Sequence, residues 1–315
     1  MARPVGILGA GAIGQLLGLQ LAHQQVPISL LRRPGSPSEQ RRHTLENRLG
    51  QNHHARLNHH ASDRPQPLQA LLVATKAHQV EAALAPVLTW LPPGTPILLL
   101  HNGMGPQQRL CHRYPEHQWW WGTLSDGALM LAPERVKHSG NGVRIAGPAP
   151  RSHLPPVSTL SHQQAPKVLR RLGFTLSPEI ATSLWQKLTV NAVINPLASR
   201  DAVPNGALLQ PKYRAEIALL CRELAQLGQA LGHPEPEEKI RQRVLAVAEA
   251  TAANRCSTLQ DRDAVRPDEL AQISGYLLAE AQRLNLEMPS HSALYYQLHP
   301  AHASLCSEAD EPALP

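Results

Sequence analysis

Lys187, Asn191 and Asn195 stand four residues apart in the segment WQKLTVNAVINP, residues 185–196. On an α-helix that spacing stacks them along one side, each about 40° round from the last. Trp185, Leu188, Val190, Val193, Ile194 and Leu197 cover much of the remainder. One ammonium and two amides in such a setting suit the reduction of a carbonyl. Negative charge builds on the oxygen, and a nearby ammonium stabilises it and donates a proton. Amides bind a ketone, hydroxyl or carboxylate without adding a competing charge. The same stripe could be the solvent-facing side of an amphipathic helix. Against that, it holds only Lys and Asn. Apolar residues also flank it on both sides, where an unpartnered lysine is costly. A polar stripe lining a small-molecule cleft and a solvated face are the two readings to separate.

A second constellation opens the chain. GILGAGAIGQLLG (6–18) places Gly9, Gly11 and Gly14 in G-x-G-x-x-G spacing, with Ala10, Ala12 and Ile13 between them. The motif follows an apolar strand and opens a helical run, the context in which it binds a dinucleotide. Gly9 permits the tight turn, Gly11 lets the backbone approach a pyrophosphate, and Gly14 lets the helix pack close to the sheet. A glycine-rich turn without a ligand is the plainer alternative. The next strand, PISLLRR (27–33), ends in Arg32 and Arg33, where an NAD site would carry Asp or Glu; the first acid after it is Glu39. A guanidinium there suits the 2′-phosphate of NADP, and the bland alternative is a pair of loop arginines. Lys76 ends the next apolar stretch, LQALLVATK, and Asn102 lies in HNGMG at the end of another, TPILLL. Ligands of open α/β sheets bind beyond the carboxyl ends of strands, so Lys76 and Asn102 border one crevice.

The elements that must position these residues fall into two patterns. Up to about residue 100, short, nearly continuous apolar runs alternate with helices such as AALAPVLTWL (82–91), the mark of a parallel sheet covered on both faces. WWWGTLSDGALM (119–130) and VRIAGP (143–148) read as further strands, with the three tryptophans alternating between core and edge. Residues 148–166, rich in Pro, Ser and His, read as a loop. Beyond about residue 180, helical periods dominate at 181–195, 211–231, 235–259 and 267–285. The expected organisation is α/β: an N-terminal Rossmann-type doubly wound domain (1–178), an all-helical C-terminal domain (179–300), and a frayed polar tail (301–315).

Composition bounds the rest. The chain has 315 residues, 42% hydrophobic and 17% charged, enough apolar content for a core and too little charge for wholesale disorder. The net charge of +6 suits an anionic partner. There is no long basic run, and with five Trp, five Tyr and one Phe there is little to stack on bases, so nucleic-acid binding has weak support. Cys111, Cys221, Cys256 and Cys306 form no C-x-x-C pair and fit reduced thiols in a cytoplasm. The apolar N-terminus imitates a signal peptide, but its glycine spacing and the lack of a convincing cleavage site argue otherwise. No run is long enough for a membrane helix. HHARLNHH (53–60) has no carboxylate or thiol at ligand spacing, so a solvated loop or hairpin is favoured over a metal site.

GAGAIG, TKAHQV, HNGMG, WQKLTVNAVINP, PNG (204–206), STLQD (257–261) and DELAQISGYLL (268–278) occur in the order found in ketopantoate reductases, which the chain resembles from residue 5 to about 290. HNGMG and KLTVNAVINP are specific to that family; the glycine motif is not. The resemblance implies a Rossmann domain, a helical domain and an active site between them. It further implies Lys187 as general acid, with Asn191, Asn195 and Asn205 holding the substrate and Ser257 binding its carboxylate. Glu269 would help fix the site and contact the cofactor ribose. Lys76 and Asn102 would lie near the nicotinamide, with Asn102 also facing the substrate. Arg32 would hold the 2′-phosphate, and Ala128 would make a backbone contact to the cofactor. Ser274 departs from a frequent Asn of the family, at a position to which no role is carried over.

The expected activity is NADPH-dependent reduction of a small 2-oxo acid, 2-dehydropantoate, by a cytoplasmic monomer or homodimer with neither a nucleic-acid nor a membrane partner and no metal. A reductase of another branched 2-oxo acid is the nearest alternative. A non-catalytic NADP-binding regulator is the more distant one, since a sensor needs the glycine loop but not a proton donor.

Overall fold

The computed structural model describes residues 2–150 and 164–300. The tail at 301–315 lies outside the described residues, as does most of the loop expected at 148–166. The ends of that loop segment belong instead to a strand finishing at Pro148 and a helix beginning at Gln164. The chain divides into two compact units, Met1–Leu184 and Trp185–Pro315.

The first unit is built on one mixed sheet. Its strands in chain order are β1 (Val5–Leu8), β2 (Ile28–Arg32), β3 (Glu39–Glu46), β4 (Asn52–Ala61), β5 (Ala70–Val73), β6 (Pro96–Leu99), β7 (Gln118–Leu124), β8 (Gly127–Ala132), β9 (Arg135–Gly140), β10 (Arg144–Pro148) and β11 (Thr175–Leu176). They lie in the order β11-β10-β7-β6-β5-β1-β2-β4-β3-β9-β8. The centre is parallel: β1 pairs with β2 on one side and with β5 on the other, and β6 and β7 continue outward from β5. The direction of winding therefore reverses between β1 and β5, and a ligand crevice opens at such a switch point.

Helices α1 (Ala12–His23), α2 (Val80–Leu88), α3 (Pro106–Arg113) and α4 (Gln164–Arg171) accompany the sheet. Leu16, Leu17, Leu19 and Leu21 of α1 and Val168 and Leu169 of α4 share a buried cluster with Ile7, Leu30, Leu72, Leu98 and Trp120. The three tryptophans correct the sequence expectation. Trp119, Trp120 and Trp121 are 1%, 6% and 2% exposed, so none lies at an edge. The reason is that β7 is an interior strand with both faces covered. Trp120 packs with Ala165, Val168 and Leu169, whereas Trp119 turns the other way and donates its indole N–H to the Tyr114 carbonyl just beyond α3 at 2.8 Å.

The histidine-rich segment takes the hairpin form, exposed at His53 and His54 but not solvated at His59, which is 1% exposed because it shares the inward phase of Leu57 and Ala61. β3 and β4 are antiparallel partners, and β4 also pairs in parallel with β2. Two further strands, β8 and β9, form a second hairpin that joins β3 at the outer end of the sheet.

Among the described residues the second unit is helical: α5 (Ile180–Arg200, which begins before the division), α6 (Arg214–Ala230), α7 (Glu237–Ala250), α8 (Ser257–Asp263), α9 (Tyr276–Arg283, entered through a π turn at Ala271–Gly275) and α10 (Pro289–Leu298). Leu220, Leu224 and Leu227 of α6 and Ile240, Val244 and Ala248 of α7 are fully buried. Trp185 stacks on His233 with ring centroids 5.2 Å apart. The single helical period expected at 235–259 is two helices. The break at 251–256 spends its carbonyls elsewhere: Ala252 and Asn254 accept the amides of Gly206 and Asn205. α10 is a further helix, started by Pro289 at its first position.

Candidate functional site

In the first unit the backbone aligns three strand ends. The Ala74 amide donates to the Leu8 carbonyl at 2.8 Å and the Leu100 amide to the Val73 carbonyl at 3.0 Å. The glycine loop after β1, the turn after β5 and the turn after β6 therefore emerge side by side. Gly9 has φ +104°, and a Cβ there would lie 2.8 Å from the Ala74 carbonyl carbon. Gly14 has no room either: a Cβ would lie 1.9 Å from the Gly9 carbonyl oxygen, which is how closely α1 approaches the turn. At Gly11 the opposite holds, since a Cβ would meet nothing within 4 Å. Gly11 has no side chain to cap α1, and the first amides of a helix have no partner within it, the arrangement that receives phosphate.

β5 stops at Val73, so Lys76 lies three residues past the strand rather than at its end. It occupies the position before a short 3-10 turn, Ala77–Gln79, and is half-buried. Asn102, also half-buried, follows β6 in a turn that needs Gly103 at φ +77° and Gly105 at φ +108°. Arg32 is the last residue of β2, as expected, and is half-buried. Ala128 lies on β8, packed against the same core cluster that Ala12 and Ile13 pack against.

In the second unit the polar stripe of α5 is only partly open to water. Lys187 and Asn191 are half-buried and Asn195 is 5% exposed, so the stripe as a whole is not a solvated face. Neighbouring elements gather the other residues. Cys256, buried at the start of α8, has its thiol 3.6 Å from the Asn195 carbonyl and 3.5 Å from Ser199 Oγ, and it accepts the Leu259 amide at 3.4 Å. Ser257, the first residue of α8, is exposed.

Asn205 is 7% exposed and held twice: its amide reaches the Asn254 carbonyl at 2.9 Å, and its Nδ2 donates to Thr251 Oγ1 at 2.9 Å. Gly206 beside it packs on Ala252, where a Cβ would come within 2.6 Å of the alanine methyl. Asn205 Oδ1 is buried and accepts no hydrogen bond. Glu269 is 4% exposed, and its carbonyl accepts the amides of Gln272 and Ile273 at the entry to α9.

Cys256 is a further residue of this region, and its signal in the sequence is its place immediately before a helix start, where a side-chain acceptor caps the first turn. Gln15 and His43 are likewise not legible as site residues from the sequence, and His59 is legible there only as part of the histidine-rich segment; together the three connect Arg32 to the glycine loop. His43 shares its inward phase with Leu45, and His59 shares its phase with Leu57 and Ala61. Among the described residues no group of three or more His, Cys, Asp or Glu side chains is placed to hold a metal ion.

Residues 5–151 match the family described as Ketopantoate reductase PanE/ApbA, and residues 179–302 match Ketopantoate reductase PanE/ApbA C terminal. The 2-dehydropantoate 2-reductase of Vibrio cholerae serotype O1 is 32% identical over 295 residues, covering 93% of this chain and 95% of that one. The crystal structure of the "Probable 2-dehydropantoate 2-reductase" of Bacillus subtilis superposes with a TM-score of 0.76 at 26% identity, covering 94% of this chain and 99% of that one. A D-mandelate dehydrogenase in complex with NADH and anilino(oxo)acetate has the same fold, with a TM-score of 0.81 at 19% identity over 96% of this chain and 99% of its own.

Proposed function

The chain belongs to the ketopantoate reductase family, and on that premise we propose that it reduces 2-dehydropantoate to pantoate with NADPH, a step towards pantothenate and coenzyme A. What carries the reading is that Lys187, Asn191 and Asn195 share one face of α5, the first two half-buried and the third buried. An ammonium and two amides on one helix face are the donors that a 2-oxo acid's carbonyl and carboxylate oxygens can use.

The chemistry of the first unit fits a phosphorylated dinucleotide. Gly9, Ala10, Gly11, Ala12, Ile13 and Gly14 would hold the pyrophosphate. Arg32 would hold the 2′-phosphate, and Lys76, Asn102, Ala128 and Glu269 the remaining groups. Bound there, the dinucleotide supplies the hydride. The chain's own residues do the rest. Lys187 stabilises the charge that grows on the ketone oxygen and gives it a proton. Asn191 and Asn195 orient the 2-oxo acid, assisted by Asn102, and Ser257 binds its carboxylate. Asn205 has its amide nitrogen committed to Thr251, so it presents an oxygen, an acceptor suited to the substrate hydroxyl. The enzyme's place is the cytoplasm, where thiols such as Cys111, Cys221 and Cys256 stay reduced.

Following NADPH absorbance with ketopantoate, pyruvate and 2-oxoisovalerate tests the proposal. Turnover should be fastest with ketopantoate, because the other two lack the hydroxyl that Asn205 awaits. A preference for either of them would overturn the substrate, and equal efficiency with NADH would overturn the cofactor.

A further inference from the structure

Arg32 does not stand alone at the end of β2. Its Nη1 lies 3.2 Å from His59 Nδ1, and His59 Nε2 lies 2.8 Å from His43 Nε2. His43 Nδ1 lies 2.9 Å from Gln15 Oε1, and Gln15 Nε2 lies 3.0 Å from the Ala10 carbonyl oxygen. His43 and His59 are each 1% exposed and Gln15 is 3% exposed. A continuous buried chain of hydrogen bonds thus runs from the guanidinium to the middle of the glycine loop.

The two ends fix the direction of every link. A carbonyl only accepts, so the Gln15 amide nitrogen faces Ala10 and its oxygen faces His43. His43 Nδ1 must then carry a proton, which makes Nε2 of the neutral ring an acceptor. His59 Nε2 must donate to it, leaving His59 Nδ1 as a lone pair. Arg32 only donates, and it donates to that lone pair. A proton added to either ring would bring two N–H groups face to face or remove the acceptor that Arg32 uses. Burial holds both rings below the ordinary histidine range. Arg32 and Arg41 act in the same direction on both, the charge of His59 also lowers His43, and Glu134 opposes on both with Glu39 opposing on His59.

We propose that Gln15, His43 and His59 are positioning residues for cofactor selectivity, a one-way relay that holds the Arg32 guanidinium at a set place relative to the glycine loop. The inference rests on the reading of Arg32 as the 2′-phosphate ligand. It also accounts for the β3–β4 hairpin, which carries both histidines to the side of β2 that faces α1. A guanidinium oriented in advance loses less freedom when it grips a phosphate, and the gain falls on NADPH alone.

The test reads affinity, not turnover. Dissociation constants for NADPH and NADH are measured by fluorescence titration on the wild type and on Arg32→Ala, His59→Leu and His59→Gln. Arg32→Ala should abolish the preference for NADPH. His59→Leu should weaken NADPH by about three- to tenfold, the worth of one hydrogen bond, and leave NADH unchanged. His59→Gln, whose amide can accept from Arg32 and donate to His43, should recover most of the loss. If Arg32→Ala keeps the preference, the reading of Arg32 is wrong. If Arg32→Ala abolishes it while His59→Leu keeps it, that reading stands and the relay falls.

Should His59→Leu lose NADH as well, or fail to fold, the wild type decides by ¹⁵N-histidine spectra without cofactor. His43 must be the neutral Nδ1–H tautomer and His59 the neutral Nε2–H tautomer at pH 7. A charged ring, or the same tautomer in both, overturns the proposal.

Discussion

The thiol of Cys256 lies 3.6 Å from the carbonyl oxygen of Asn195, and the same sulfur accepts the Leu259 amide at 3.4 Å. One buried atom therefore ties the helix of the Lys–Asn stripe to the helix that begins at Ser257. Burial pushes the thiol pKa up, so the group stays protonated and can donate to Asn195. Cys256→Ala removes both links. Loss of the cap should cost about 0.5–2 kcal/mol. The ketopantoate KM should rise several-fold as Ser257 loses its anchor. Cys256→Ser keeps an acceptor for the cap and should restore most of both. Thermal melts and steady-state kinetics on the three proteins check this, and an unchanged KM in Cys256→Ala would show that other contacts hold Ser257.

Two glycines of one motif should fail in different ways. A methyl at Gly14 would lie 1.9 Å from the Gly9 carbonyl oxygen, so the helix or the turn must move. Gly14→Ala should lose stability by about 1–3 kcal/mol or more, as overpacked sites do. A methyl at Gly11 meets nothing within 4 Å and φ there is −75°, so Gly11→Ala should melt close to the wild type, within about 0.5 kcal/mol. It should nevertheless bind NADPH poorly, because the methyl stands where the pyrophosphate approaches. Melting curves and cofactor titrations on both variants separate the two roles; similar melting losses in the two would contradict it.

The parallel centre of the sheet is legible because its strands are buried on both faces and leave unbroken apolar runs, ALLV at 70–73 and PILL at 96–99. Arg32 is legible because β2 ends abruptly in charge. The β3–β4 hairpin is harder to see. Its inward phase places histidines where a strand usually shows Val or Ile, and His43 and His59 are as buried as Leu57 beside them. The support of Asn205 is not local at all. It depends on Thr251 and Asn254, the first 46 residues away in sequence, and periodicity carries no trace of a pairing between two turns.

The buried histidines set an acid limit on stability. Burial and the charge of His59 lower His43 from its ordinary 6.5 to about 4. Burial, with Arg32 and Arg41, also lowers His59, and burial lowers His117 and His233. The unfolded chain therefore takes up protons first as pH falls. The stability these neutral rings contribute is fully present above about pH 6.5 and is lost on the way down, for His43 until about pH 4. Each unit of difference is worth about 1.4 kcal/mol, so the melting temperature should fall by several degrees across that window. Asp126, Glu223 and Asp268, held below their usual values by partners that outweigh burial, add their loss only at lower pH. Melting curves from pH 8 to pH 4 measure the limb. His43→Asn, which keeps a donor towards Gln15, should flatten it; an equally steep limb in that variant would assign the slope to other groups.

Lys187 is the sharpest test of the proposed chemistry. It is half-buried on α5, one helical turn before Asn191 and two before the buried Asn195, and is the only cation of the stripe. As general acid it must be protonated when hydride arrives, and it must reach the oxygen on which charge develops. Losing such a donor costs about two to four orders of magnitude in kcat. Lys187→Ala should therefore fold, bind NADPH with unchanged affinity and lose turnover by that factor. Lys187→Arg should recover only part, since a guanidinium keeps its charge but gives up its proton poorly. Asn195→Ala is the comparison, because a residue that only orients substrate should move KM more than Lys187 does. Stopped-flow hydride transfer and cofactor titration on the three variants distinguish the roles. An alanine variant that keeps more than about a tenth of the wild-type kcat lies outside the range for a lost acid and would leave Lys187 as a buried-face lysine with no part in the proton transfer.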